Sequence, residues 1–233
     1  MKNGFSLDYL RYEIRIVGPL LFLLPPGLAL AFAGLAVLLF VGSVVHSFIA
    51  LVLVAALEAC LPLAVGIVLA TVAAQDAALE LLLSVPAGYC WIVFARLALL
   101  LGWTLLVELL ASLALYAALP WVPSEPLAAG QLTWLAPSLW LAGAGVLLAL
   151  VLRSRAASGA VLGCIWIIQL TFHGYFAQNN WTRPWFLFAT LYTPTASFWL
   201  TNRLELIASA LVLLLAVWWF LRNPERRFFG EEA

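Results

Sequence analysis

Long runs of apolar residues constrain the fold of this chain more than any other feature. Residues 17–41 and 91–119 each exceed the roughly 20 apolar residues that cross a bilayer as a helix. Across the chain 66% of residues are hydrophobic and 9% are charged, whereas about a quarter are charged in a soluble domain. The runs lack the alternation of a membrane β-barrel. We therefore predict an all-α, polytopic membrane protein whose residues 1–233 form a single transmembrane domain.

Turn signals and charges divide this apolar sequence into six predicted membrane-spanning helices. A tight turn separates the first two, a polar stretch follows Ala74, and a proline-rich loop follows Leu119. Pro25-Pro26 and Pro62 lie inside the first two spans, where each proline removes a backbone hydrogen bond that a neighbour must replace. The predicted spans cover residues 17–41, 47–74, 91–119, 131–152, 156–177 and 204–221.

Two further segments are predicted to lie along the membrane or to dip into it. Residues 5–16 have an apolar stripe, with Arg11 and Arg15 four residues apart, which is typical of an interfacial helix. An ordinary polar N-terminal extension is the alternative. Residues 178–203 are rich in Trp, Phe and Tyr, and their apolar stretch is too short to cross. We predict an external interfacial or re-entrant segment there.

The distribution of basic residues predicts the orientation. Cytoplasmic segments of membrane proteins carry an excess of Lys and Arg. With both termini inside, nine of the eleven basic residues lie on the inner side, and only Arg183 and Arg203 lie outside. The inner residues are Lys2, Arg11, Arg15, Arg96, Arg153, Arg155, Arg222, Arg226 and Arg227. We therefore predict a multi-pass protein of the cytoplasmic membrane with both termini in the cytoplasm.

The chain lacks the residues for ATP hydrolysis or for other familiar catalysis. Its one lysine is Lys2, so it cannot contain the Gly-x-x-x-x-Gly-Lys loop that cradles ATP phosphates. His46 and His173 are far apart, and no hydrolase motif or clustered Cys/His motif occurs. The net charge of zero gives no indication of nucleic-acid binding. We predict no catalytic residue, no metal site and no cofactor held by this chain.

Two acidic residues, Glu58 and Glu108, lie inside predicted spans. Charged side chains at membrane depth are costly and usually face a protein interior or water. Thr104, Glu108 and Ser112 recur every fourth residue, which makes one polar stripe on the third span. In one interpretation each glutamate is protonated and hydrogen-bonded between packed helices. In the other, Glu58 and this stripe line a translocation path or a substrate cavity.

A short polar break over residues 75–86 interrupts the apolar sequence after the second span. An apolar face at helical spacing and two acids four residues apart predict a short cytoplasmic helix. Like charges at that spacing mildly destabilise a helix, so a basic partner surface is a reasonable hypothesis. A solvated helix without a partner is the alternative. The face comprises Leu79, Leu82, Leu83 and Pro86, and the acids are Asp76 and Glu80.

The stretch Leu79-Glu80-Leu81-Leu82-Leu83-Ser84-Val85-Pro86, followed by Arg96, resembles the ABC-2 type permeases. These are the membrane subunits of ABC exporters. The resemblance extends over the predicted topology of the whole chain: an N-terminal interfacial helix, six spans and a helix in the first cytoplasmic loop. In sequence it depends mainly on this one stretch.

The resemblance implies a partner that supplies the energy. Two six-span permeases, identical or paralogous, would form the membrane core, and two copies of a separate ABC ATPase subunit would bind ATP and Mg²⁺ beneath them. The helix over 75–86 would couple the two, while the interfacial helix with Arg11 and Arg15 would brace it. The coupling residues would be Asp76, Leu79, Glu80, Leu82, Leu83, Ser84 and Pro86.

Three functional classes follow from these observations. The first is a permease subunit that moves a hydrophobic or amphipathic substrate with energy from ATP hydrolysed by the separate subunit. The second is an ATP-independent secondary transporter or channel that uses Glu58 and Glu108 as proton or cation sites. The third is a membrane assembly protein.

Overall fold

The computed structural model describes residues 18–74, 89–118 and 126–222, and these ranges are helical without strands. The predicted interfacial helix over 5–16 and the predicted coupling helix over 75–86 lie outside the described residues, together with all the residues assigned to them. The helices, numbered here along the described chain, are α1 Pro19–Val41, α2 His46–Ala74, α3 Tyr89–Ala118, α4 Leu127–Leu152, α5 Arg155–Thr171, α6 His173–Gln178, α7 Ala189–Tyr192 and α8 Trp199–Arg222.

Five of these helices are long and apolar enough to cross a membrane: α1, α2, the Val93–Ala117 part of α3, α4 and α8. Helix α5 is shorter, and after a break at Phe172 the chain continues as α6. The described part of the chain is thus all-helical, and its long apolar helices indicate an integral membrane protein, as the apolar runs predict.

The first two spans accommodate their prolines in different ways. In α1, Pro26 has no N–H to donate to the carbonyl of Phe22. The indole Nε1–H of Trp103 on α3 donates to that carbonyl instead, at 2.9 Å. In α2, a π-helical turn at Ala56–Cys60 precedes Pro62, and the N–H of Leu61 donates to the carbonyl of Ala56. Such turns adjust a helix that has lost a bond, and they are frequent at functional sites.

Helices α2 and α4 form the centre of the bundle and are the most buried of the five long helices. Glycines allow their backbones to approach closely. A Cβ atom on Gly145 would lie 2.5 Å from the carbonyl oxygen of Gly66, and one on Gly66 would lie 2.8 Å from that of Leu141. Only residues without a side chain fit at such separations, so this contact fixes how α2 crosses α4.

One apolar cluster contains side chains from the ends of four long helices. It joins the end of α2, the start of α3, and the ends of α4 and α8, and the start of α1 packs against it. Arg96 lies near the start of α3, and Arg222 ends α8. Arg153 and Arg155 lie at the join between α4 and α5. We call the end of the bundle that holds this cluster and these four arginines the basic end. Arg183 lies away from it, in the connection between α6 and α8.

The connection between α6 and α8 enters the protein interior. Residues 186–189 are fully buried and pack against Ala59, Trp140 and Leu206. A short 3₁₀ turn at Arg183–Trp185 precedes them, and α7 follows. Helix α8 begins at Trp199, five residues before the predicted start at 204, and therefore includes Arg203. Residues 186–189 of the aromatic segment are consequently part of the core of the bundle, whereas Trp181 is exposed.

Candidate functional site

A buried ion pair joins α2 to α8. Glu58 lies in the π-helical turn of α2, and its Oε1 atom accepts a bond from Nη2 of Arg203. Both side chains have no solvent exposure. Burying two charges is costly unless each is paired and otherwise hydrogen-bonded. The surroundings of each partner therefore decide whether this site is stable.

The carboxylate of Glu58 also accepts bonds from the start of α7. The backbone N–H of Thr190 donates to Oε1 at 2.7 Å, and that of Leu191 donates to Oε2 at 2.6 Å. The first N–H groups of a helix have no partner within the helix, and the helix dipole favours negative charge there. Glu58 therefore caps α7 while it pairs with Arg203.

The guanidinium of Arg203 binds the same connection. Nη1 donates to the carbonyl of Leu187 at 2.9 Å, and Nη2 donates to the hydroxyl of Thr190 at 2.9 Å. The indole Nε1–H of Trp199 donates to that hydroxyl at 2.8 Å, and the guanidinium carbon lies 5.7 Å from the centre of the Trp199 ring. Among the described residues, Nε of Arg203 has no hydrogen-bond partner.

Two amides complete a cluster that we call the polar hub: Glu58, Gln169, Thr190, Asn202 and Arg203. Gln169 on α5 accepts from the N–H of Leu187 at 2.8 Å and donates to the carbonyl of Trp185 at 3.0 Å. Asn202 on α8 donates to the carbonyls of Arg183 and Phe186 at 2.6 and 3.1 Å.

The polar hub explains how an irregular segment can lie inside a membrane protein. Non-helical backbone away from water is tolerated only where protein groups satisfy its N–H and C=O groups. Side chains of α2, α5 and α8 do so for residues 183–191. The hub therefore holds three long elements and the connection in one arrangement.

The predicted stripe on α3 forms a separate contact. Thr104, Glu108 and Ser112 are all buried. The hydroxyl of Ser138 on α4 donates to both carboxyl oxygens of Glu108, at 2.9 and 2.8 Å, and the hydroxyl of Ser112 donates to Oε1 of Gln131 at 2.6 Å. Thr104 donates to a carbonyl of its own helix. Glu108 and Ser112 thus contact α4, and no basic side chain within the described ranges forms an ion pair with Glu108.

A cavity of about 220 Å³ lies beside the polar hub. None of the four residues predicted to line a path, Glu58, Thr104, Glu108 and Ser112, contributes to its lining. It touches the hub through Thr190 and Leu191, whose N–H groups Glu58 binds. It is lined by Ser47, Ala50, Leu51, Val54, Leu57, Leu115, Tyr116, Gly130, Thr133, Trp134, Thr190, Leu191 and Pro194.

Sequence reasoning identified Glu58 but missed its partner, because Arg203 was assigned to the external linker. The available signal was indirect. A charged residue inside a span needs a partner, and Arg203 borders the last apolar run. Gln169 and Asn202 gave no local signal, since isolated amides near span ends are common. Within the described residues no group of three or more His, Cys, Asp or Glu side chains is arranged to hold a metal ion.

Comparisons of the chain with protein-family models, with curated proteins and with solved structures found no match. The function must therefore be inferred from the residues and their geometry.

Proposed function

We propose that this chain is the permease subunit of an ABC exporter of the ABC-2 type. It would move a hydrophobic or amphipathic substrate across the cytoplasmic membrane, with energy from ATP hydrolysed by a separate subunit. The observation that carries the proposal is the stretch from Leu79 to Pro86, which lies in sequence between α2 and α3, with the basic residue Arg96 that follows it in α3. No ATP-binding loop occurs in this chain, so ATP and Mg²⁺ would be held by the partner.

The packing of the helix ends supports this interpretation. The segment between α2 and α3 is connected to the two helices at the basic end, where α4 and α8 also terminate in the same apolar cluster. A protein that pressed on this end would contact several helices together. Force applied there would act on the α2–α4 pair, whose backbones lie close together at Gly66 and Gly145.

A six-span topology is part of the proposal. If α5 and α6 together make one crossing, successive crossings alternate in direction and both termini lie at the basic end. The positive-inside rule then makes that end cytoplasmic. Arg96, Arg153, Arg155 and Arg222 would face the cytoplasm, with two permeases, identical or paralogous, above two ATPase subunits.

Co-purification tests the proposal. The full-length chain is co-expressed with an ATPase subunit encoded beside it, purified in mild detergent, and assayed for ATP hydrolysis in lipid nanodiscs. We expect a stable complex that Asp76→Lys/Glu80→Lys disrupts, because charge reversal opposes docking to a basic surface. Glu205→Lys is the matched control, since Glu205 is exposed near the opposite end of the bundle.

Two outcomes would count against the proposal in different ways. A wild-type chain that binds no ATPase would refute the permease role. A complex that survives the charge reversal with normal ATP hydrolysis would retain the role but exclude docking through these acids.

A second candidate, the ATP-independent transporter, is favoured by one observation. Glu108 is a buried acid that has Ser138 as its hydrogen-bond partner and no ion pair within the described residues. Intramembrane acids of this kind act in proton relays. Substrate uptake that is driven by a proton gradient in the absence of any ATPase, and that Glu108→Gln abolishes, would favour this candidate over the permease.

A further inference from the structure

The cavity beside the polar hub extends along α2. Its inner part contains the buried residues Leu57, Gly130 and Trp134, and its outer part contains the exposed residues Ser47, Leu51 and Pro194. From Ser47 to Leu57 the helix rises about 15 Å. The cavity is therefore a narrow recess that runs from the surface of the bundle to its interior.

The lining of this cavity suits an aliphatic chain. Among the residues that the structure describes, no charged side chain lines it, and most of the wall is made of aliphatic and aromatic groups. Its hydroxyl groups belong to Ser47, Tyr116, Thr133 and Thr190, and that of Thr190 already accepts bonds from Arg203 and Trp199. The volume of about 220 Å³ exceeds the roughly 150 Å³ of an apolar cavity that accepts benzene.

The outer part of the cavity adjoins apolar surface. Val45, Phe48 and Leu51 are exposed around the first turns of α2, at 69%, 49% and 49%. Because α2 has the length and composition of a membrane helix, we expect such outward side chains to face hydrocarbon. The aliphatic chains that could reach this opening are then those of the bilayer.

We propose that this cavity binds one acyl chain of a membrane lipid. The chain enters beside Leu51 and extends along α2 towards Leu57. Gly130 allows Tyr116 to close one side, because a Cβ atom on Gly130 would overlap the Tyr116 hydroxyl. The binding concerns this chain alone and does not depend on an ATPase partner.

Thr190 and Leu191, which the polar hub holds in place, form one side of this cavity. Glu58 binds the N–H groups of Thr190 and Leu191, and both residues line the cavity. Glu58 does not itself line the cavity and supports this side through α7.

Photolabelling of the full-length chain tests the proposal. The protein is reconstituted in nanodiscs of a zwitterionic phospholipid that contain a small fraction of the same lipid with a diazirine on one acyl chain. After irradiation, labelled residues are mapped by peptide mass spectrometry. We expect labelling concentrated in 47–57, 115–116 and 130–134, and weakened by about tenfold in Val54→Trp, whose indole fills the recess.

The matched control is Val212→Trp, because Val212 is 65% exposed on α8 and outside the cavity lining. This variant should label as the wild type does. Uniform labelling of all lipid-facing helices, unaffected by Val54→Trp, would overturn the proposal. Labelling by a single-chain diazirine alcohol but not by the phospholipid would also overturn it, since the occupant would then be a free amphiphile.

A second measurement covers the case in which Val54→Trp does not fold. Native mass spectrometry of the wild type in mild detergent should show one retained phospholipid per chain, and Ala50→Phe should lose it. A wild type that retains none would contradict the proposal. Neither measurement involves the ATPase. A failed co-purification would therefore leave the lipid-binding proposal unaffected, and a failed lipid-binding measurement would leave the proposed permease role unaffected.

Discussion

The strongest energetic prediction concerns the buried pair of Glu58 and Arg203. Arg203→Met keeps an unbranched side chain but leaves the carboxylate of Glu58 buried without its countercharge. Removing one partner of a buried pair costs about 3–5 kcal/mol. In a chain of this size 1 kcal/mol shifts Tm by about 2–4 °C, so we expect Tm to fall by about 6–20 °C. Glu58→Gln should give a similar loss, because it leaves the guanidinium unpaired.

The double variant Glu58→Gln/Arg203→Met provides the decisive comparison. It removes both charges, and the amide oxygen still accepts one N–H from α7. Two backbone groups then remain unsatisfied, one N–H of α7 and the carbonyl of Leu187, at about 1–3 kcal/mol each. We therefore expect the double variant to lose less stability than the two single variants together, a non-additivity that only interacting residues show.

The assay is the fraction of monodisperse protein that size-exclusion chromatography detects after heating in mild detergent. Arg222→Met is the matched control, because Arg222 lies exposed at the end of α8. Its guanidinium carbon lies 5.2 Å from the centre of the Trp218 ring, and an exposed contact of this kind contributes about 0.5–1 kcal/mol, so Tm should fall by less than about 4 °C. Strictly additive losses in the double variant, or an effect of Arg203→Met no larger than that of the control, would refute the reasoning.

Two further substitutions test the packing of α4. Gly145→Ala places a Cβ atom 2.5 Å from a backbone carbonyl oxygen of α2 and should lower the free energy of unfolding by about 1–3 kcal/mol. Its control, Gly159→Ala, places a Cβ atom in open space and should be neutral or stabilising. Equal Tm values for the two variants would exclude the close contact between α2 and α4. Ser138→Ala removes the hydroxyl that donates to both oxygens of Glu108 and should cost about 1–3 kcal/mol. Its control is Ser209→Ala, which removes only a bond within α8, and indistinguishable thermal stabilities of these two variants would contradict that assignment.

Local residues were sufficient to predict most helices. Apolar runs longer than about 20 residues require helices in a membrane, because hydrocarbon cannot satisfy backbone groups. Proline and glycine then locate turns, as at the tight connection between α1 and α2. The expectation that neighbours would replace the bonds lost at Pro25-Pro26 also depends only on local chemistry, although the sequence could not identify Trp103 as the donor.

The connection after α6 shows where local reasoning reached its limit. Its Trp, Phe and Tyr residues are compatible with a membrane interface and also with a packed core, because aromatic rings are favoured in both. Residues 186–189 are buried because Gln169, Asn202 and Arg203 satisfy the neighbouring backbone. These partners come from two other helices, so no pattern within the segment reveals them.

The sequence by itself determined that this chain is a helical membrane protein, and it left open whether Glu58 is hydrogen-bonded between packed helices or lines a path. Only the tertiary structure decided that the partner is Arg203, 145 residues away, and that the pair also caps α7. The physical reason is that helix formation depends on neighbours three and four residues apart, whereas a buried charge can be paired by any segment that packing brings to it.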